Sequence, residues 1–135
     1  MCGRFASTLP PEQIARLFGT RNLLSNVGPS WNTAPTQEAL VVRRHPETGE
    51  RHLDALKWGL LPSWTKDAAK AKRPTNARSE TVTQLPSFQG AFAKRRAIIP
   101  IEAFFEWRRP EGHTATSITS TRSTKGTAAG PEPGF

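Results

Sequence analysis

The sequence predicts an α+β fold, because strand-like and helix-like stretches are interspersed without the regular alternation of a doubly wound sheet. Two features carry that expectation. "EALVVRRH" and "RHLDALKW" are both strand-like, and the turn-rich "PETG" between them implies an antiparallel pair. "TLPPEQIARLFGT" instead has helical spacing. At 135 residues the chain is one domain at most, with length for a modest core.

In that first helix, Thr8 is the expected N-cap, the prolines occupy the first turn, and Gly19 stops the helix. Ile14, Leu17 and Phe18 form its core face. "NVGPSWNTAPTQ" holds too many turn formers for regular structure and is expected to be a loop, extended at Ala34 before Pro35. After the strand pair, "WGLLPSW" brackets a Leu-Leu-Pro turn with two tryptophans and leads into basic sequence. Trp58, at a strand end, reads as core, and Trp64, in the turn, as an exposed wedge. "NARSETVTQL" is expected to form a short helix, "SFQGAFAKR" another turn of one, and "RRAIIPIEAFFEW" strands interrupted by proline. From His113 onward the chain is nearly all Thr, Ser, Ala, Gly and Pro. Such a segment buries too little apolar surface to offset its ordering entropy, so residues 113–135 are expected to be a disordered tail.

A single cysteine excludes an internal disulfide framework and a Cys-only metal site, and nothing suggests an oxidising compartment. No apolar run approaches the roughly 18 to 20 residues of a membrane span, and the basic-then-apolar pattern of a signal peptide is missing. The chain is expected to be soluble and cytoplasmic, nucleoid-associated if bacterial. Lys and Arg number 19 against 11 Asp and Glu, a formal charge of +8. The cations cluster in "TKDAAKAKRP" and "AKRRA", a local density suited to phosphate contacts. Large aromatics beside lysines are what a stacking platform for unpaired bases requires.

The only cysteine stands second, in "MCGRFA". If Met1 is removed, Cys2 carries a free amine and a thiol on adjacent carbons, a pair that closes a five-membered ring on an aldehyde. The competing reading is a small buried hydrophobe. Other candidates are equally open when taken singly. Asn76 and Arg78 fit a helix cap and a solvent contact, Glu80 a helix-surface carboxylate, and Glu106, between Phe105 and Trp107, a solvent-facing position on an edge strand.

Together and in this order, "MCGRFA", "WGLLPSW", "PTNARSET" and "IIPIEAFFEW" resemble the SRAP family, the SOS response-associated peptidase-like proteins. The likeness runs from Met1 to about Gly112, making residues 1–112 the N-terminal part of an SRAP domain. It implies a mixed, barrel-like sheet with short flanking helices, incomplete at the C-terminal side. It also implies removal of Met1 and reaction of Cys2 with the aldehyde of an abasic site in single-stranded DNA, giving a thiazolidine crosslink. Asn76 and Glu106 then join Cys2 as catalytic residues, Asn76 orienting and Glu106 exchanging protons. Arg4, Trp64 and Arg78 match DNA-binding positions, while Gly3, Asn32 and Pro35 line the site, Gly3 leaving room for the sugar. The resemblance implies no metal and no cofactor. The expected partner is single-stranded DNA containing abasic sites, with no membrane, and the folded chain is expected to be a monomer.

Two departures stand out. "AFFEW" replaces the family's Gly-Phe-Tyr-Glu-Trp, so Ala103 is strained if that position needs positive φ. The family's histidine motif, His-x-Arg-Met-Pro, does not occur; His45 and His52 flank the hairpin turn, and His113 opens the tail. The abrupt change after Gly112 suggests a truncated or frameshifted product, expected to expose sheet edges and apolar side chains, to be marginally stable and to aggregate.

Overall fold

The computed structural model describes residues 3–22, 26–108 and 117–122. Among them are strands β1 (Arg4–Ser7), β2 (Ser30–Thr33), β3 (Glu38–Arg44), β4 (Arg51–Lys57), β5 (Ala97–Ile98), β6 (Ala103–Arg108) and β7 (Ser117–Arg122), with helices α1 (Pro11–Phe18) and α2 (Pro86–Lys94). The fold is α+β, as the sequence predicts. Its strands form a four-stranded sheet in the order β2-β1-β6-β7 and a three-stranded sheet in the order β4-β3-β5. Every pairing is antiparallel. The two sheets remain open, because none of these pairings joins an edge of one to an edge of the other, so the sheet is neither mixed nor closed into a barrel.

The predicted hairpin forms with Glu38 opposite Lys57 through to Arg44 opposite Arg51. Its inward side chains build the core: Leu40, Val42, Leu53 and Ile14 are buried together, with Phe18 packed against them. Ile14 and Phe18 are one helical turn apart and share that face. Leu17 does not join it and is 72% exposed, contrary to expectation. Thr8 is not the N-cap either. Proline at the first helical positions starts α1 later, with Pro10 at the cap and no side-chain cap bond. Thr8 instead donates through its backbone N–H and its hydroxyl to Glu102 Oε2, at 2.6 and 3.2 Å. Gly19 ends the helix as predicted, in the left-handed conformation at φ 62°.

The outer edge of β4 is occupied by the chain that follows α1. The side-chain amide of Asn22 donates to the Leu53 carbonyl at 2.9 Å and its oxygen accepts from the Leu53 N–H at 2.7 Å. Arg21 N–H bonds the Arg51 carbonyl at 3.0 Å. The backbone groups that an edge strand leaves unpaired are thereby satisfied at these positions.

Three segments differ from the sequence expectation. Residues 30–33, expected as loop, form β2 because β1 offers a partner: Phe5 lies opposite Thr33 and Ser7 opposite Ser30, with a bulge between. "NARSETVTQL" does not become a helix; bonds from Thr81 and Val82 N–H to the Arg78 carbonyl, and from Gln84 and Leu85 N–H to the Thr81 carbonyl, make successive turns. Residues 117–122, inside the segment expected to be disordered, form β7 against the whole of β6, from Ala103 opposite Arg122 to Arg108 opposite Ser117. "SITSTR" is rich in β-branched residues (Ile118, Thr119 and Thr121), which suits a ladder, and β6 supplies the edge. The rest of that tail, like Met1, Cys2 and residues 23–25, lies outside the described residues.

Candidate functional site

β1 is central to the four-stranded sheet and positions the expected residues. Its neighbour β6 runs antiparallel with Arg4 opposite Phe105, Phe5 opposite Phe104 and Ala6 opposite Ala103. Glu106 follows Phe105 on β6, and Gly3, the residue after Cys2, precedes Arg4 on β1. Ala103 sits in regular pairing; Thr36 is the only non-glycine with positive φ among the described residues, so the strain considered for Ala103 does not arise.

Alternation in the strands divides the candidates between two faces. Phe5, Phe104 and Glu106 share one face. Arg4 and Phe105 share the other, where the Arg4 guanidinium donates through Nη1 to Asn32 Oδ1 at 3.1 Å. Both Arg4 and Asn32 are exposed. A Cβ built on Gly3 would meet no atom within 4 Å, so space beside it is open.

Trp58 connects the Phe5 face to Asn76. Its ring packs on Phe5 with centroids 5.0 Å apart and planes inclined at 40°. Its Nε1–H donates to the Thr75 carbonyl at 3.0 Å, one residue before Asn76. Next in sequence, Leu60 N–H bonds the Pro74 carbonyl at 2.9 Å. Gly59, between them, has φ 127°, and a Cβ there would stand 3.0 Å from Arg73 Cβ. The strip 58–60 thus lies close against the strip 73–75, which has no regular structure of its own. Asn76 is exposed, its amide 3.5 Å from Thr75 Oγ1.

The loop carrying Pro35 meets the same tryptophan. Thr36 N–H donates to the Trp58 carbonyl at 2.8 Å, and Trp58 N–H donates to the Gln37 carbonyl at 2.9 Å. Gln37 Oε1 accepts from Ala34 N–H at 2.8 Å, closing the loop on itself. Thr36 holds φ 73°, a conformation unfavourable to a β-branched residue, inside this clamp.

Arg78 is exposed at the start of the turns after Asn76. Glu80 is exposed as well; its own backbone N–H, and then the Ser79 hydroxyl at 2.9 Å, hold its carboxyl below the usual range for glutamate. Trp64 is 58% exposed, as the sequence predicts for a wedge, and follows directly on Pro62 and Ser63. Trp31, which the sequence reading passed over, is 74% exposed beside Asn32; an aromatic in a turn-rich segment next to a candidate residue was the available signal. Cys2 lies outside the described residues. Asn32 and Arg4 are joined directly, Asn76 and the Pro35 loop are joined through Trp58, and Trp64 stands apart.

His45 and His52 stack on one another at the hairpin end, centroids 4.8 Å apart, away from these residues. Among the described residues no three His, Cys, Asp or Glu side chains are grouped as metal ligands, and no helix is long and apolar enough to cross a membrane. An open cleft of about 330 Å³ lies between Leu60, Val82 and the α2 residues Phe88 and Phe92, lined by none of the expected site residues.

The SOS response associated peptidase (SRAP) family matches residues 1–130. The abasic site processing protein YoqW of Bacillus subtilis is 35% identical over 116 residues, 84% of this chain and 51% of YoqW. The abasic site processing protein HMCES of Mus musculus is 32% identical over 133 residues, 83% of this chain and 38% of that protein. A crystal structure of a Bordetella bronchiseptica protein superposes with a TM-score of 0.58 at 29% identity, over 78% of this chain and 51% of that one. The chain spans about half the length of the first of these relatives, or less.

Proposed function

The chain belongs to the SRAP family, and from that premise we propose that it acts on abasic sites in single-stranded DNA, forming a covalent thiazolidine through Cys2. The observation that carries this reading is the antiparallel pairing of β1 with β6, Arg4 opposite Phe105, which runs the strand bearing Glu106 alongside the strand that follows Cys2. Relatives named abasic site processing proteins support the substrate.

The chemistry proceeds in three steps. Hydrolysis of the Met1–Cys2 peptide bond releases Met1 and frees the Cys2 amine. Glu106 gives a proton to the sugar ring oxygen as the bond from that oxygen to C1 breaks, and its carboxylate takes the proton of the C1 hydroxyl, which opens the abasic deoxyribose to its aldehyde. The amine adds to the aldehyde carbon and loses water to give an imine; the Cys2 sulfur then adds to the same carbon, its proton ending on nitrogen, and closes the ring. Asn76, which donates and accepts hydrogen bonds but does not transfer protons at neutral pH, orients the amine or the sugar. Arg4 and Arg78 hold phosphates flanking the lesion, Asn32 aims Arg4, and Pro35 and Gly3 bound the site. Trp64 stacks on a base.

A second reading, non-covalent binding of single-stranded DNA, is favoured by the exposure of Trp31 and Trp64 and of Lys66 and Lys70 near the latter. Intact mass after incubation with a single-stranded oligonucleotide carrying one abasic site, beside a Cys2→Ala control, separates the two. A Cys2-dependent adduct on protein lacking Met1 is the expected result. Retention of Met1 with no adduct, alongside measurable affinity for the strand, establishes the second reading instead.

A further inference from the structure

We infer that Trp58 is a positioning residue for Asn76, fixing the backbone just before it against β1. This inference rests on the crosslinking reading above. Residues 71–78 have no helix or strand to fix them, so Asn76 takes its place from whatever grips the backbone just before it. That grip comes from the Trp58 indole on the Thr75 carbonyl and from Leu60 N–H on the Pro74 carbonyl. Gly59 permits the approach, since any Cβ there meets Arg73 at 3.0 Å.

Trp58 is itself fixed from two other directions. Its ring lies on Phe5, in the strand opposite the β6 segment that carries Glu106. Its backbone is clamped on both sides by Thr36 and Gln37, from the loop carrying Pro35. One residue therefore registers three separate stretches of sequence against each other: its side chain joins β1 to the strip before Asn76, and its backbone adds the loop of residues 34–37. Simple core packing would need the ring but not the indole N–H. The N–H is spent on the one carbonyl that sets the direction of Asn76.

The variant Trp58→Phe keeps an aromatic ring over Phe5 and removes the donor together with the second ring of the indole. At saturating abasic-site oligonucleotide its crosslinking rate is expected to fall about 10- to 100-fold, the usual cost of a displacement on the order of an ångström at a reacting centre. Its non-covalent affinity for an unmodified single strand is expected to stay within about twofold, since phosphate contacts dominate affinity. In an Asn76→Ala background the same substitution should change the rate less than about twofold, because contacts that act through one another are not additive. A full loss in that background overturns the inference.

Two readouts do not depend on crosslinking and decide the matter should the wild-type chain form no adduct. In the nitrogen-15-labelled protein, Trp58→Phe should shift or broaden the Asn76 backbone and side-chain amides while leaving β3 and β4 unchanged; unaltered Asn76 signals refute the positioning role. In the wild-type protein the Trp58 indole proton should exchange with solvent more slowly than those of Trp31 and Trp64. Equal exchange refutes the bond itself, even if the variant does not fold.

Discussion

Arg4 donates to Asn32 across 28 residues of sequence, Nη1 to Oδ1 at 3.1 Å, on the sheet face opposite Glu106. The two substitutions that break this contact should behave differently. Arg4→Ala removes a charge, so single-stranded DNA affinity should fall and its logarithmic salt slope should shrink by about 0.7 for each phosphate released. Asn32→Ala keeps the charge but removes this acceptor. A loss of severalfold in affinity, corresponding to about 1 kcal/mol for one hydrogen bond, should come with an unchanged slope. Titrations at several salt concentrations check both.

The core is small and its most enclosed members are Ile14 and Leu53. Leu53→Ala should lower unfolding free energy by about 2–5 kcal/mol, as cavity-forming substitutions do. Leu56→Ala, on the same strand but 39% exposed, should cost less than about 1 kcal/mol. Urea denaturation of the two variants side by side measures the difference.

Asn22 serves both backbone groups of Leu53. Asn22→Ala should therefore destabilise the protein by about 1–3 kcal/mol, two net hydrogen bonds' worth. Asn22→Asp keeps the acceptor but, once ionised, sets a carboxylate oxygen against the Leu53 carbonyl and the Asp54 carboxylate that the amide serves at 2.9 and 3.3 Å, and should be at least as destabilised as alanine above the pH at which the carboxyl ionises. The same denaturation assay ranks the three.

Glu80 is held below its ordinary ionisation range chiefly by its own backbone N–H and secondarily by Ser79. A carboxyl depressed in the folded state contributes stability that is present above its unfolded value and lost as pH falls through the folded one. Ser79→Ala should move the Glu80 titration upward without restoring it fully, because the backbone bond remains. A carbon-13 NMR titration of the carboxyl follows it directly.

The hairpin was legible because alternation and a turn spacer are local signals, and β3 and β4 need only each other. β2 and β7 were not. Ser30–Thr33 and Ser117–Arg122 become strands through partners distant in sequence, β1 and β6, which no local signal names. Leu17 fell off the predicted face because α1 is short and meets the core through Ile14, Ala15 and Phe18. For the site, the motifs named Arg4, Asn32, Asn76 and Glu106, but not the division of Arg4 and Glu106 between two sheet faces, nor the tryptophan that ties the strip before Asn76 to β1; those follow from register and from a single indole bond.

The cover that Arg21 and Asn22 place over β4 limits how copies of this protein can associate. At Arg51 and Leu53, where backbone groups are already bonded from within the chain, a second copy cannot add a strand to β4. Among the described residues the other side of this sheet ends in the two-residue β5, which offers a ladder of only that length. Growth of this sheet by strand addition is checked at β4 by two consecutive residues of the same chain.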